Sequence, residues 1–233
     1  MRRPTGPTIP TDSPDGAGPV VRARQLVKRF RSAAGAVPVF DGLDLELAPG
    51  ESLALMGRSG SGKSTLLNLL CGLEPLDAGE LSLFGQNGGA LSAEAWSGLR
   101  RAHIATVFQE ANLMPAMTLA ENVRLRAQLA GQASVDAAGW LARLGLDGLG
   151  DRYPDQVSGG QRQRAALVMA FAMQPKLLLA DEPTGSLDRH TADDVADVLF
   201  DFQHEQRCPM ILATHDPALA ERCDRVLRLG AEA

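Results

Sequence analysis

The stretch GRSGSGKSTLLNLLCG, Gly57 to Gly72, decides how the rest of the chain is read. Its first half, from Gly57 to Ser64, fits the pattern G-x-x-x-x-G-K-S. Gly60 and Gly62 let the backbone curl until several N–H groups converge. KSTLLNLLCGL then reads as a helix, with Leu66, Leu67, Leu69 and Leu70 giving it a broad apolar face. The partial positive charge at that helix start adds to the pull on an anion. Upstream, ESLALMG is a short apolar strand that runs straight into the loop. A flexible Gly/Ser linker would not be followed at once by an apolar helix. The expectation is a P-loop in which Gly57, Arg58, Ser59, Gly60, Ser61, Gly62, Lys63, Ser64 and Thr65 wrap a polyphosphate. Lys63 would reach the β- and γ-phosphates, and Ser64 would ligate Mg²⁺.

Working outward, VVRARQLVKRF and LDLELAPG read as strands of a small antiparallel sheet, with SAAGAVP breaking the alternation between them. AGELSLFGQ returns to strand after the P-loop helix. From Ala111 to Val157 the pattern becomes helical, with Gly at the helix ends. KLLLAD, PMILATH and DRVLRLG are apolar runs of the kind found in buried parallel strands. Between them, Val195, Val198, Leu199 and Phe202 form one stripe of an amphipathic helix. The expected fold is α/β: a P-loop NTPase core with a mostly parallel sheet, an N-terminal antiparallel β-subdomain and an inserted α-helical subdomain over 111–157. Residues 20–230 are read as one domain, and 1–19, rich in Pro, Gly and Thr and lacking an apolar signal core, as an unstructured tail.

Composition narrows the function. Of the 233 residues, 45 % are hydrophobic and 22 % charged, as in globular proteins. The net charge of −5 argues against bulk nucleic-acid binding. No apolar run approaches a membrane span; AALVMAFAM stops at QPK and reads as a buried helix. Cys71, Cys208 and Cys223 have no CxxC spacing, so they read as buried or indifferent thiols.

Four further segments refine the P-loop reading. LLLADEP leaves Asp181 at the end of a buried strand, where a carboxylate can hold Mg²⁺ through water, and Glu182 next to it, where it can polarise an attacking water. VSGGQRQR sets Ser158, Gly159 and Gly160 before a long helix, as a second anion site or as a plain helix cap. VFQE and ATHD place Gln109 and His215 at strand ends, where ligands bind in such sheets.

In this order the motifs resemble the ATP-binding cassette family over roughly Val20 to Leu229. GRSGSGKST corresponds to its Walker A loop, Gln109 to the Q-loop, VSGGQ to the signature, LLLADEP to Walker B, GSLD with Asp188 to the D-loop, and His215 to the H-loop. The resemblance implies two cassettes sandwiching two ATP molecules head to tail. It implies that Ser158, Gly159, Gly160 and Gln161 act in trans on the partner's nucleotide, with Asp188 working across the interface. Glu182 is then the general base, His215 clasps the γ-phosphate and attacking water, and Gln109 senses Mg²⁺ held by Ser64 and Asp181. Phe30 stands where the family usually stacks Tyr on adenine; its π-face suits that role, and a strand-core role is the other reading. Met169 stands where the family usually has Arg and Phe171 where it has Leu, while Val157 replaces the common Leu of the signature.

NLMPAMTLAENV, Asn112 to Val123, looks like the segment of cassettes that serve lipoprotein-release, macrolide-export and cell-division permeases. Leu113, Met114, Pro115 and Met117 either form an adaptable groove for a permease helix or pack the helical subdomain. The leading expectation is the ATPase subunit of a transporter of the lipoprotein-release or macrolide-export type, peripheral on the cytoplasmic face of a bacterial membrane. Alternatives are a cell-division-type regulatory cassette, a polar amino acid importer cassette, and a soluble cassette ATPase acting on DNA or ribosomes. The last is disfavoured by the net charge and by the short interval, without heptads, between P-loop and signature.

Overall fold

The computed structural model describes residues 18–32, 35–185 and 187–230. The tail expected over 1–19 lies outside them except for Gly18 and Pro19, as does Ser186 of the GSLD segment. The elements follow in chain order. β1 (Val21–Ser32) and β2 (Gly35–Leu47) lead to β3 (Ser52–Met56) and α1 (Lys63–Leu70). β4 (Ala78–Leu83), β5 (Gln86–Asn87), α2 (Ala93–Ala102) and β6 (Ile104–Val107) come next. Three helices follow: α3 (Leu119–Leu129), α4 (Ala137–Arg143) and α5 (Gly159–Ala172). The chain then alternates through β7 (Leu177–Asp181), α6 (Arg189–Gln206), β8 (Met210–Ala213), α7 (Pro217–Ala220) and β9 (Arg225–Arg228).

Two sheets result. The antiparallel sheet has the order β2-β1-β4-β5, and the other has the order β6-β7-β8-β3-β9 with parallel pairing between its neighbours. The expected break at SAAGAVP is shorter than its sequence suggested. β2 starts at Gly35, and Val37 pairs with Phe30, because the hairpin arms keep their ladder up to Ser32 and Gly35.

The parallel strands explain why both faces needed covering. Leu53, Leu55, Leu177, Leu179, Ile211 and Ala213 join one buried cluster with the antiparallel sheet and α1. Their neighbours Ala54, Leu178, Ala180, Met210 and Leu212 join the other, with α3 to α6. This is strand alternation with apolar residues on both sides. Within the helical part, Phe171 and Phe202 stack with centroids 4.3 Å apart, and Trp140 packs against both.

α3 begins with a capping box: Thr118 accepts from the Glu121 N–H while Glu121 accepts from the Thr118 N–H. Buried Asn122 sits behind it. Its amide donates to the Met114, Met117 and Thr118 carbonyls and its Oδ1 accepts from the Met114 N–H at 2.7 Å. That amide folds the segment 114–118 into one shape, packing Leu113 against the core while Met114 stays exposed.

Candidate functional site

The site collects at the C-terminal ends of the parallel strands. β3 delivers the P-loop, β6 leads to Gln109, β7 ends at Asp181, and β8 is followed by Thr214 and His215. Phe30, Ser59, Gly60, Gly62, Lys63, Ser64, Thr65, Gln109, Asp181, Glu182 and His215 all line one cavity of about 660 Å³. Segments far apart in sequence thus meet around one space.

The P-loop is built as its composition demands. Gly62 is the N-cap of α1 at φ 94°, and no side chain caps the helix. The first N–H groups of α1 are therefore open to an anion. A methyl on Gly62 would lie 2.5 Å from Val39 Cγ1 and 2.8 Å from the Phe40 ring, so the tight approach and the left-handed turn both require glycine. Lys63 folds back over the loop, its Nζ donating to the Gly57 carbonyl at 2.8 Å. Gly57, Arg58 and Ser61 do not line the cavity; Gly57 is packed under Ser61 and the Leu229 carbonyl, and the Ser61 hydroxyl is buried without a hydrogen-bond partner.

On the opposite wall, Asp181 is buried and Glu182 takes a left-handed φ of 48°. Such a backbone in a non-glycine residue is costly and clusters at working sites. It is pinned by the Glu182 N–H, which donates to the Ala213 carbonyl at 2.9 Å. The Glu182 side chain is 14 % exposed and its Oε2 lies 2.8 Å from His215 Nδ1. The cavity therefore offers open backbone N–H groups, an ammonium, three hydroxyls and two carboxylates. That donor set fits a nucleoside triphosphate with a divalent cation. Among the described residues, no group of three or more His, Cys, Asp or Glu side chains gathers around a common point.

The signature and D-loop residues are not brought to this cavity. Ser158 is the N-cap of α5 in a capping box with Gln161, whose Oε1 accepts from the Ser158 N–H at 2.8 Å. Asp188 caps α6 through Thr191, which holds its carboxyl below the usual range. Gly160 and Leu187 pack together, so signature and D-loop form one neighbouring surface. Sequence reasoning missed Val39 and Gly185 in the cavity lining. It also missed buried Gln163, whose Nε2 donates to the Phe108 carbonyl at 3.0 Å and so ties α5 to the residue before Gln109. A glutamine inside the apolar face of α5 is the signal that could have exposed it.

Fold and site together define a P-loop nucleoside triphosphatase. The family model described as ABC transporter matches residues 40–185. The ABC transporter ATP-binding protein YbbA of Escherichia coli K12 is 44 % identical over 214 residues, covering 90 % of this chain and 94 % of YbbA. The lipoprotein-releasing system ATP-binding protein LolD of Xanthomonas oryzae pv. oryzae is 42 % identical over 222 residues, covering 93 % and 91 %. The dimeric ATP-binding cassette MJ0796 bound to ADP and Pi superposes with a TM-score of 0.84 at 30 % identity, covering 90 % of this chain and 94 % of that one. The chain belongs to the ABC transporter family. It is the ATP-binding subunit, and its activity is ATP hydrolysis. No helix among the described residues is long and apolar enough to cross a membrane.

Proposed function

We propose that the protein drives a permease of the lipoprotein-release type from the cytoplasmic face of the membrane, as a dimer that closes on two ATP molecules. One observation carries the dimer: P-loop, Asp181, Glu182, Gln109 and His215 share a cavity, while Ser158 and Asp188 of the same chain stand outside it. A second copy, head to tail, would supply Ser158, Gly159, Gly160 and Gln161 to the open side. MJ0796 is dimeric, which supports this reading. The likeness to LolD supports the permease class, and macrolide export is the neighbouring alternative.

In this reading Lys63 and the N–H groups of α1 hold the β- and γ-phosphates, and Phe30 stacks on adenine. Ser64, Asp181 and Gln109 would hold Mg²⁺, which would neutralise phosphate charge when bound. Glu182 removes a proton from the attacking water, and His215 fixes the Glu182 carboxylate and reaches the γ-phosphate. Both residues leave strands of one rigid sheet, so the base is in position before the dimer closes.

The permease contact lies near Asn112–Val123 in this reading, and α3, which begins in that segment, continues through Arg126 and Leu129 into the wall of a groove of about 490 Å³. Leu73 and Leu129, about half exposed, line that groove with Phe108 and Arg101. Its Arg100 and Arg126 guanidinium groups are fixed to backbone carbonyls, which stiffens the wall. A short amphipathic permease helix suits such a groove. The test is to trap Glu182→Gln with ATP and Mg²⁺ in the source cells and identify what co-purifies from solubilised membranes. A permease with few spans and a large outer domain is expected. A compact multi-span permease with a solute-binding protein would instead indicate an importer.

A further inference from the structure

Lys28 is the most deeply buried lysine of the described residues, at 4 % exposure. A buried ammonium is costly unless it is paired. Its Nζ donates to the Pro75 carbonyl at 2.8 Å and lies 3.1 Å from Glu74 Oε2. Its third neighbour is the Phe30 ring, whose centroid is 4.9 Å away. Phe30 lines the nucleotide cavity and Lys28 does not.

The ring needs such an anchor. Register between β1 and β2 slips between Lys28 and Arg29, and Phe30 is 41 % exposed, so the ladder alone does little to fix its plane. A cation over one face of an aromatic ring holds that ring in place through the quadrupole and leaves the second face for stacking. The anchor is itself tied to the phosphate grip. The N–H groups of Leu73 and Glu74 both donate to the Asn68 carbonyl, at 2.9 and 3.2 Å, and Asn68 lies in α1, whose first turn is the phosphate end of the P-loop.

We infer that Lys28, held by Glu74 and Pro75, is a positioning residue for the nucleobase: its ammonium sets the Phe30 ring at a fixed distance from the P-loop and leaves one ring face for adenine. The inference rests on the reading of Phe30 as the base seat. It concerns a side chain that touches neither phosphate nor catalytic carboxylate. It predicts a defect that depends on the base and is silent toward a ligand without one.

The experiment measures affinities of the full chain for ATP and for inorganic tripolyphosphate, each with Mg²⁺, by titration calorimetry. Lys28→Gln keeps a donor for the Pro75 carbonyl and removes the charge. It is expected to bind ATP about 3- to 30-fold more weakly, with tripolyphosphate unchanged. Combined with Phe30→Ala, it should cause no further loss. Lys28→Arg, whose guanidinium can also stack on the ring, should stay near the parent. Equal losses on both probes would make Lys28 a structural residue and overturn the inference, as would unchanged ATP affinity. If Lys28→Gln does not fold, Glu74→Gln decides, with an expected loss of about 2- to 5-fold on ATP alone; no loss overturns the inference. If Phe30→Ala itself leaves the preference for ATP over tripolyphosphate untouched, the base-seat reading has failed instead.

Discussion

His215 Nδ1 lies 2.8 Å from Glu182 Oε2, across the gap between the ends of β8 and β7. The imidazole is 74 % exposed on the cavity side while the carboxylate is only 14 % exposed. Both members of the pair line the cavity, the imidazole in the open and the carboxylate recessed behind it. Glu182→Gln keeps the shape and an acceptor for His215 but cannot take a proton. It should bind ATP and hydrolyse it at least about tenfold more slowly, since general-base assistance is worth about 10²–10⁴. Phosphate release under saturating ATP is the measurement; parent-like turnover would remove Glu182 from the base role.

Two glycines of the P-loop should respond differently to a single methyl. Gly60 has φ 81° with open space around its Cβ position, whereas Gly62 has φ 94° and Val39 and Phe40 against it. Gly60→Ala is predicted to cost about 1–2 kcal/mol, the penalty for left-handed backbone. Gly62→Ala adds overpacking and should cost about 2–5 kcal/mol. Urea unfolding of the two variants checks the order, which a purely conformational effect would not produce.

Asp224 joins the starts of β3 and β9. Its Oδ2 accepts from the Ser52 N–H at 2.8 Å and the Ser52 hydroxyl at 2.7 Å, and these bonds hold its carboxyl below the usual range. A depressed carboxyl contributes stability above its unfolded pKa and loses it as pH falls through the folded value. Asp224→Asn should therefore cost about 1 kcal/mol at neutral pH, a figure kept low by solvent exposure. The gap between parent and variant should close in acid, below the ordinary carboxylate range. A gap that stays constant from pH 7 to pH 3 would show that the charge is not what matters.

Burial pushes the Cys208 and Cys223 thiols up to about 12, and Cys71 is also raised by burial. A thiol needs its thiolate form to react. Iodoacetamide at pH 8 should leave the native protein unmodified and label all three cysteines after unfolding. Mass spectrometry of the intact chain reads this directly. Rapid native labelling of any one would mean that its surroundings open locally.

Much of the cavity was legible in the sequence because its chemistry is local. The P-loop needs glycines next to a lysine and a hydroxyl, and Asp181 and Glu182 must leave an apolar strand, so short motifs announced them. What the motifs could not announce depends on partners far away in the chain. Lys28 reads as a solvated strand charge until Glu74 and Pro75 fold onto it. Ser158 left a cap and an anion site equally open, and the fold shows it acting as a cap within this chain. α2, whose Trp96 and Leu99 are buried, was overlooked although SAEAWSGLRR carries a cap serine and an amphipathic pattern, because the stretch is short and mostly polar. The start of β2 was hidden by Gly35 and Pro38, which read as loop residues yet suit the outer arm of a sheet.

The placement of β3 sets a timetable for synthesis. The strand that carries the P-loop lies between β8 and β9, and Ser52 meets its partner Asp224 at a separation of 172 residues. At about 5–20 residues per second, a ribosome needs roughly 10–35 seconds to supply that partner. Until β8 and β9 are made SLALM has two unpaired edges, and α1 with the antiparallel sheet covers only one of its faces. A nascent chain of this protein cannot hold ATP early in translation. For that interval an apolar strand with open edges depends on chaperones or on the ribosome surface for protection.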